Sequence, residues 1–111
     1  MYNFFRKGEI MEVKIADNFK DKLIGLMNKK DIDYALLITN CKSIHTFFMK
    51  EAIDVLLLDN NNRILMINRN VVPNKILVFH NKNKTNILEM PNNSSLNLKV
   101  NDVLDLSNLN I

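Results

Sequence analysis

With 111 residues, 47% apolar and 24% charged, the chain can fill one two-layer core but not two, which argues against wholesale disorder and predicts a single domain over residues 1–111. Its formal charge is only +3, and the lysines are scattered (Lys29, Lys30, Lys42, Lys50, Lys75, Lys82, Lys84) without arginine or aromatic partners, so no nucleic-acid footprint is expected. Two glycines, Gly8 and Gly25, are too far apart for a phosphate-cradling loop, and no apolar run reaches the ~20 residues of a membrane span.

Met11, Val13 and Ile15 alternate with Glu12 and Lys14, the period of a strand with one wet face. Asp17 suits a helix N-cap, and Phe19, Leu23 and Leu26 recur at helical spacing, so a short helix is predicted over about 18–27, with Gly25 marking close approach to a sheet. From there the pattern is β. Apolar runs at 34–38, 43–50 and 53–58 are followed by the turn Asp59-Asn60-Asn61-Asn62 and a returning strand at 63–67, which together predict a hairpin. Further strands are expected at 76–79 and 87–90. Pro91-Asn92-Asn93-Ser94-Ser95 then stops the chain, with Ser94 or Ser95 capping one helical turn through Leu98, and Val103, Leu104 and Leu106 close as a last strand.

Asparagine clusters stand where glycine and proline are scarce, as expected of the next-best residue at positive φ. About eight short strands with one short N-terminal helix and a C-terminal helical turn give a mainly β fold: a compact antiparallel β-sandwich, jelly-roll-like, or a barrel.

The stretch Cys41-Lys42-Ser43-Ile44-His45-Thr46-Phe47-Phe48-Met49-Lys50, followed by Ile53-Asp54-Val55 and Leu57-Leu58-Asp59, resembles the signature of an uncharacterised bacterial and archaeal family, domain of unknown function 192. Ala16-Asp17 with Gly25-Leu26-Met27, then Ile87-Leu88-Glu89-Met90-Pro91 and Val100-Asn101-Asp102, agree in order and spacing, so the resemblance covers about 11–106. It implies a compact sandwich or jelly-roll type of β fold and no particular activity. Asn101 replaces a frequent glycine and Asn92-Asn93 a glycine-containing turn, both tolerable at positive φ. Lys22 stands for a frequent arginine, which would weaken any bidentate recognition of a carboxylate or phosphate there.

The candidate chemistry lies between Cys41 and Asp54. Cys41 and His45 invite a nucleophile–base reading, but four residues of extended chain separate them by about 13 Å, so Cys41 is expected as a packing residue. His45 could face a ligand or metal, or bond a backbone carbonyl. If Glu51-Ala52 formed a two-residue hairpin loop, Met49 would oppose Asp54 and Lys50 would oppose Ile53, leaving Asp54 on the face of His45. Asp54, inside an apolar run, needs a partner, which Lys42, Lys50 or backbone N–H groups could supply.

No spacing of His or Cys suggests a metal site, and no cofactor is expected. The expected ligand-binding residues are therefore Cys41, Ser43, His45, Met49, Lys50 and Asp54, on a face that mixes polar groups with Phe47. The expected function is a small ligand- or partner-binding module. A protein-interaction domain is the first alternative, and an enzyme using His45 and Asp54 as acid and base the last. The single unpaired Cys41 and the absence of a secretory pattern at the N-terminus point to the cytoplasm, and a monomer or weak dimer is expected.

Overall fold

A computed structural model describes the backbone of residues 2–6 and 9–106, and the side chains from residue 11 to residue 106. The elements in chain order are β1 (Tyr2–Arg6), β2 (Glu9–Ala16), α1 (Phe19–Ile24), β3 (Ala35–Ile38), β4 (Ser43–His45), β5 (Ile53–Leu58), β6 (Ile64–Val71), β7 (Ile76–Val78) and β8 (Asn86–Pro91). Six strands form one sheet in the order β1-β2-β3-β8-β5-β6, and β4 and β7 form a separate two-stranded ribbon.

The central strands show why this sheet holds. β3 (ALLI) and β5 (IDVLLL) are buried at every position because both faces of the sheet are covered, so β3 reads as an unbroken apolar run and β5 as one interrupted only by Asp54. On one face Leu36, Ile38, Ile53, Val55, Leu57 and Ile87 pack with Ile44 and Phe79 from the ribbon side and with Leu26, Ile32 and Met49. On the other, Leu37, Leu56, Leu58, Leu88 and Met90 pack beneath Leu98, Leu104 and Leu106 of the C-terminal segment. Each layer contributes through area removed from water, at about 25 cal/mol per Å².

The mainly β expectation holds, while several finer expectations need correction. The sheet is mixed: β2 and β3 run parallel, with Val13 opposite Ala35 and Ala16 opposite Ile38. A connection carrying α1 separates them, as parallel neighbours require. Among the described residues no closed barrel forms, since β1 and β6 stand at the two ends of the sheet order. The strand expected at 43–50 stops at His45 and pairs with β7, not with β5, so Met49 and Asp54 are not hairpin neighbours. Thr46 is the physical reason. Fully buried, it donates its Oγ1 hydroxyl to the Val72 carbonyl at 2.8 Å and accepts from the Lys75 amide at 2.8 Å, so the chain turns there to meet the 72–75 loop.

The 59–62 hairpin does form. Asp59 Oδ1 accepts from the amides of Asn61 and Arg63 at 2.8 and 3.0 Å, and β5 pairs with β6 on either side. The expected last strand reduces to isolated bridging, Arg63 with Val103, and the expected turn after Ser95 appears as a Leu98 amide to Ser95 carbonyl bond of 2.9 Å. β1 has no counterpart among the expected strands. The helix is shorter than expected, capped by Asn18 rather than Asp17: Asn18 Oδ1 accepts from the Asp21 amide at 2.9 Å. Among the described residues no helix is long and apolar enough to cross a membrane.

Among the described residues, seven asparagines, at 28, 40, 62, 70, 74, 93 and 101, take positive φ, so asparagine does supply left-handed turns. Phe48 shares that conformation (φ 63°) although it is 67% exposed and bulky. Its left-handed backbone stores strain that no burial offsets. Phe48→Asn is therefore expected to raise stability by about 0.5–1 kcal/mol, seen as a higher urea midpoint at unchanged slope.

Candidate functional site

A cleft of about 420 Å³ opens between α1, the ribbon and the edge of the sheet face at β8. Each wall follows from local periodicity. Phe19, Lys22 and Leu23 are three and four residues apart, so the helix presents them on one side. They face the cleft, and α1 buries none of its residues in the core; Phe19 is 82% and Leu23 54% exposed. On the ribbon, Ser43 lies opposite Val78 and His45 opposite Ile76, so two cross-strand pairs share the face that looks into the cleft. Between them Ile44 turns the other way into the core. Cys41 and Phe47 extend the ribbon wall at its two ends.

His45 uses both ring nitrogens inside the protein. Nδ1 accepts from the Phe47 amide at 3.2 Å, which assigns the proton to Nε2, and Nε2–H donates to the Leu23 carbonyl at 3.0 Å. The ring also stacks on Phe47 with centroids 5.5 Å apart. His45 therefore pins the last turn of α1 to the ribbon. Cys41 Sγ donates to the Ser43 carbonyl at 3.0 Å, while its amide and carbonyl are held by Thr85. Neither side chain is bonded to the other.

The floor is Glu89. It sits on β8 between Leu36 of β3 and Val55 of β5, is 2% exposed, and its Oε1 has no hydrogen-bond partner. Burial alone pushes its carboxyl up to about 8, because the charged form has lost water and gained no donor. Gly25 makes room for it. The glycine ends α1 at φ 52°, and a Cβ there would stand 3.1 Å from Glu89 Oε1. Tyr34 is raised by its own burial first, then by the charges of Asp33, Glu12 and Glu89.

Of the residues singled out in the sequence, Cys41, Ser43 and His45 line this cleft. Met49 is buried in the core, and Lys50 is exposed away from the cleft lining. Asp54 is fully buried on the side of the sheet shared with Leu56 and Leu58, where it accepts from the Asn70 amide at 3.0 Å, the Ser95 amide at 3.0 Å and the Ser95 hydroxyl at 2.6 Å. A pocket bordered jointly by His45 and Asp54 does not exist, and the acid–base set of His45, Asp54 and Cys41 is not assembled. Glu89 is the residue that the sequence reading missed. Its signal was available: an acid inside the apolar run Ile87-Leu88-Glu89-Met90 raises the same question of a partner as Asp54 does. Among the described residues no group of three or more His, Cys, Asp or Glu side chains is placed to hold a metal ion.

The fold and cleft define a small mainly β protein built on an open mixed sheet with an apolar groove over a buried acid. The chain belongs to the uncharacterised ACR family, domain of unknown function 192, whose profile matches residues 3–106. It is 48% identical over 60 residues to a UPF0127 protein of Pyrococcus horikoshii (49% of this chain, 51% of that protein), and 35% identical over 71 residues to one of Pyrococcus furiosus (59% and 61%). The chain thus spans about half to three-fifths of the length of these relatives. They are archaeal, so the family is not confined to bacteria.

Two crystal structures share the fold. One is a protein of unknown function from Novosphingobium aromaticivorans (TM-score 0.78, 14% identity, 93% of this chain and 81% of that one). The other is a putative transcription regulator from Sinorhizobium meliloti (TM-score 0.79, 17% identity, 96% and 92%).

Proposed function

We propose that the protein is a ligand-binding module whose site is the cleft between α1 and the β4–β7 ribbon. The observation that carries this reading is Glu89, a buried carboxyl with an unpartnered oxygen at the floor of an apolar groove. Buried polar groups without partners are rare and costly, and one that lines a cavity is satisfied by whatever enters. The cleft volume falls in the range that holds small molecules. A protein partner docking on the exposed rim of Phe19, Ile76 and Val78 is the second reading; it accounts for the rim and leaves Glu89 without a use. We also infer that the ribbon acts as a reduced second sheet of a sandwich, since Ile44 and Leu77 pack into the core of one sheet face.

Thermal shift against pools of small apolar compounds tests the ligand reading. A compound present at 100 times its Kd should stabilise the protein by about 2.7 kcal/mol. Val78→Arg, at a position 57% exposed and so tolerant of the change, should abolish that shift by filling the groove. Stabilisation by no pool, or a shift that survives Val78→Arg, rejects the cleft as the site.

A further inference from the structure

We propose that the cleft recognises a small apolar primary amine, with its ammonium group seated on the Glu89 carboxylate and its hydrocarbon body between Phe19, Leu23, Ile76 and Val78. This rests on the reading of the cleft as a ligand site and adds the chemistry of the ligand.

The argument runs from the donors that the protein does not supply. Glu89 faces Lys22 from α1, Cys41 and His45 from the ribbon wall, and Tyr34 ahead of β3; its strand neighbours in register, Leu36 and Val55, bring no charge, nor do Ile76 and Val78 of β7. Two of these groups are already committed: His45 Nε2–H to the Leu23 carbonyl and the Cys41 thiol to the Ser43 carbonyl. Among the described residues no side-chain or backbone donor reaches Oε1. The missing donor must therefore enter with the ligand.

Among simple head groups, an ammonium brings three N–H donors and the charge that compensates a buried carboxylate. A hydroxyl brings one donor and no charge, and a carboxylate is acceptor-only and brings no donor to Oε1. The walls then select the body: Phe19, Leu23, Ile76 and Val78 offer only hydrocarbon to whatever follows the head group. Lys22, on the helix wall, is the one cation of the lining among the described residues, so it opposes the ammonium and would favour an acid if head-group charge were chosen there instead.

Seating the ammonium requires the ionised carboxylate. The free protein holds its Glu89 proton up to a pH of about 8, so binding near neutrality releases that proton to solvent as the ion pair forms. Affinity for the amine should then rise with pH up to about 8 and level off above it.

Calorimetric titration with n-hexylamine, n-hexanol and hexanoate at several pH values tests the proposal on the wild-type chain and on Glu89→Gln. At pH 8 the wild type should bind hexylamine at least about tenfold more tightly than hexanol, with the margin narrowing toward pH 6 and proton release visible in buffers of different ionisation heat. Glu89→Gln should bind hexanol as before and lose the preference for the amine. Equal binding of hexanol and hexylamine by the wild type overturns the amine assignment and leaves the cleft a ligand site. Tightest binding of hexanoate also overturns it, pointing to Lys22 instead. Binding of none of the three defeats both readings. Should Glu89→Gln fail to fold, the pH dependence and proton release of the wild type decide the matter alone.

Discussion

Asp54→Ala is expected to destabilise the protein by about 3–5 kcal/mol, measured as a fall in the urea midpoint, without any change of the residues that line the cleft. The size follows from what the carboxylate holds. Asp54 accepts from two backbone amides, of Asn70 and Ser95, and from the Ser95 hydroxyl. It is fully buried, so no water replaces it when it is removed. Each orphaned buried donor costs about 1–3 kcal/mol. Ser95 is itself a junction, since its Oγ accepts from Arg69 Nε at 3.2 Å, and Arg69 Nη2 also donates to the carbonyls of Ser95 and Leu98. Losing Asp54 therefore loosens the 92–98 segment that carries Leu98 over the second core layer. Asp54→Asn should fall between wild type and Asp54→Ala, because it keeps one acceptor oxygen and turns an amide donor toward donors. A loss below about 1 kcal/mol for Asp54→Ala would mean that the 92–98 segment is held by its apolar contacts alone.

This result also marks what was legible in the sequence. The need for a partner at Asp54 could be read from a charge in an apolar run, and backbone amides were among the partners expected. Its side of the sheet could not. Strand parity decides facing, and the assumed hairpin through Glu51-Ala52 set the parity of 43–50 against 53–58 as if one sheet contained both.

Thr46 broke that assumption through bonds to residues 72 and 75, a contact across some thirty positions that no local pattern encodes. The strands at 53–58 and 87–90 were legible because each is an apolar run, with one acid inside it, bounded by turn residues, and the asparagine turns because few other residues accept positive φ. Cys41, Ser43 and His45, which strand alternation sets on one face, all line the cleft. Phe19 and Leu23 carried a helical period that ordinarily means core. They face a groove instead, because only Leu26, beyond the helix end, reaches the sheet. Glu89 entered the site through pairing of β8 between β3 and β5, an arrangement fixed by the whole fold.

Replacing Glu89 tests the floor of the cleft through stability. Its carboxyl titrates near 4.5 when the chain is unfolded and near 8 when folded, so between these values the folded state binds the extra proton. Stability from this group is therefore fully present below about 4.5, falls as pH rises, and is lost once pH passes about 8. At about 1.4 kcal/mol per unit, the shift corresponds to an upper bound of about 5 kcal/mol, reduced to the extent that water enters the cleft. Glu89→Gln removes the titration while keeping the shape. Denaturation at pH 4.5 and pH 9 should then show the variant gaining on wild type by about 3–5 kcal/mol between the two values, since every other titrating group is common to both chains. Ligands that supply a cation should narrow that gap at high pH, because they compensate the charge that the fold leaves alone. A gap that stays constant with pH would show that Glu89 meets water or a donor in the folded state, and the cleft would then have no unpartnered group for a ligand to satisfy.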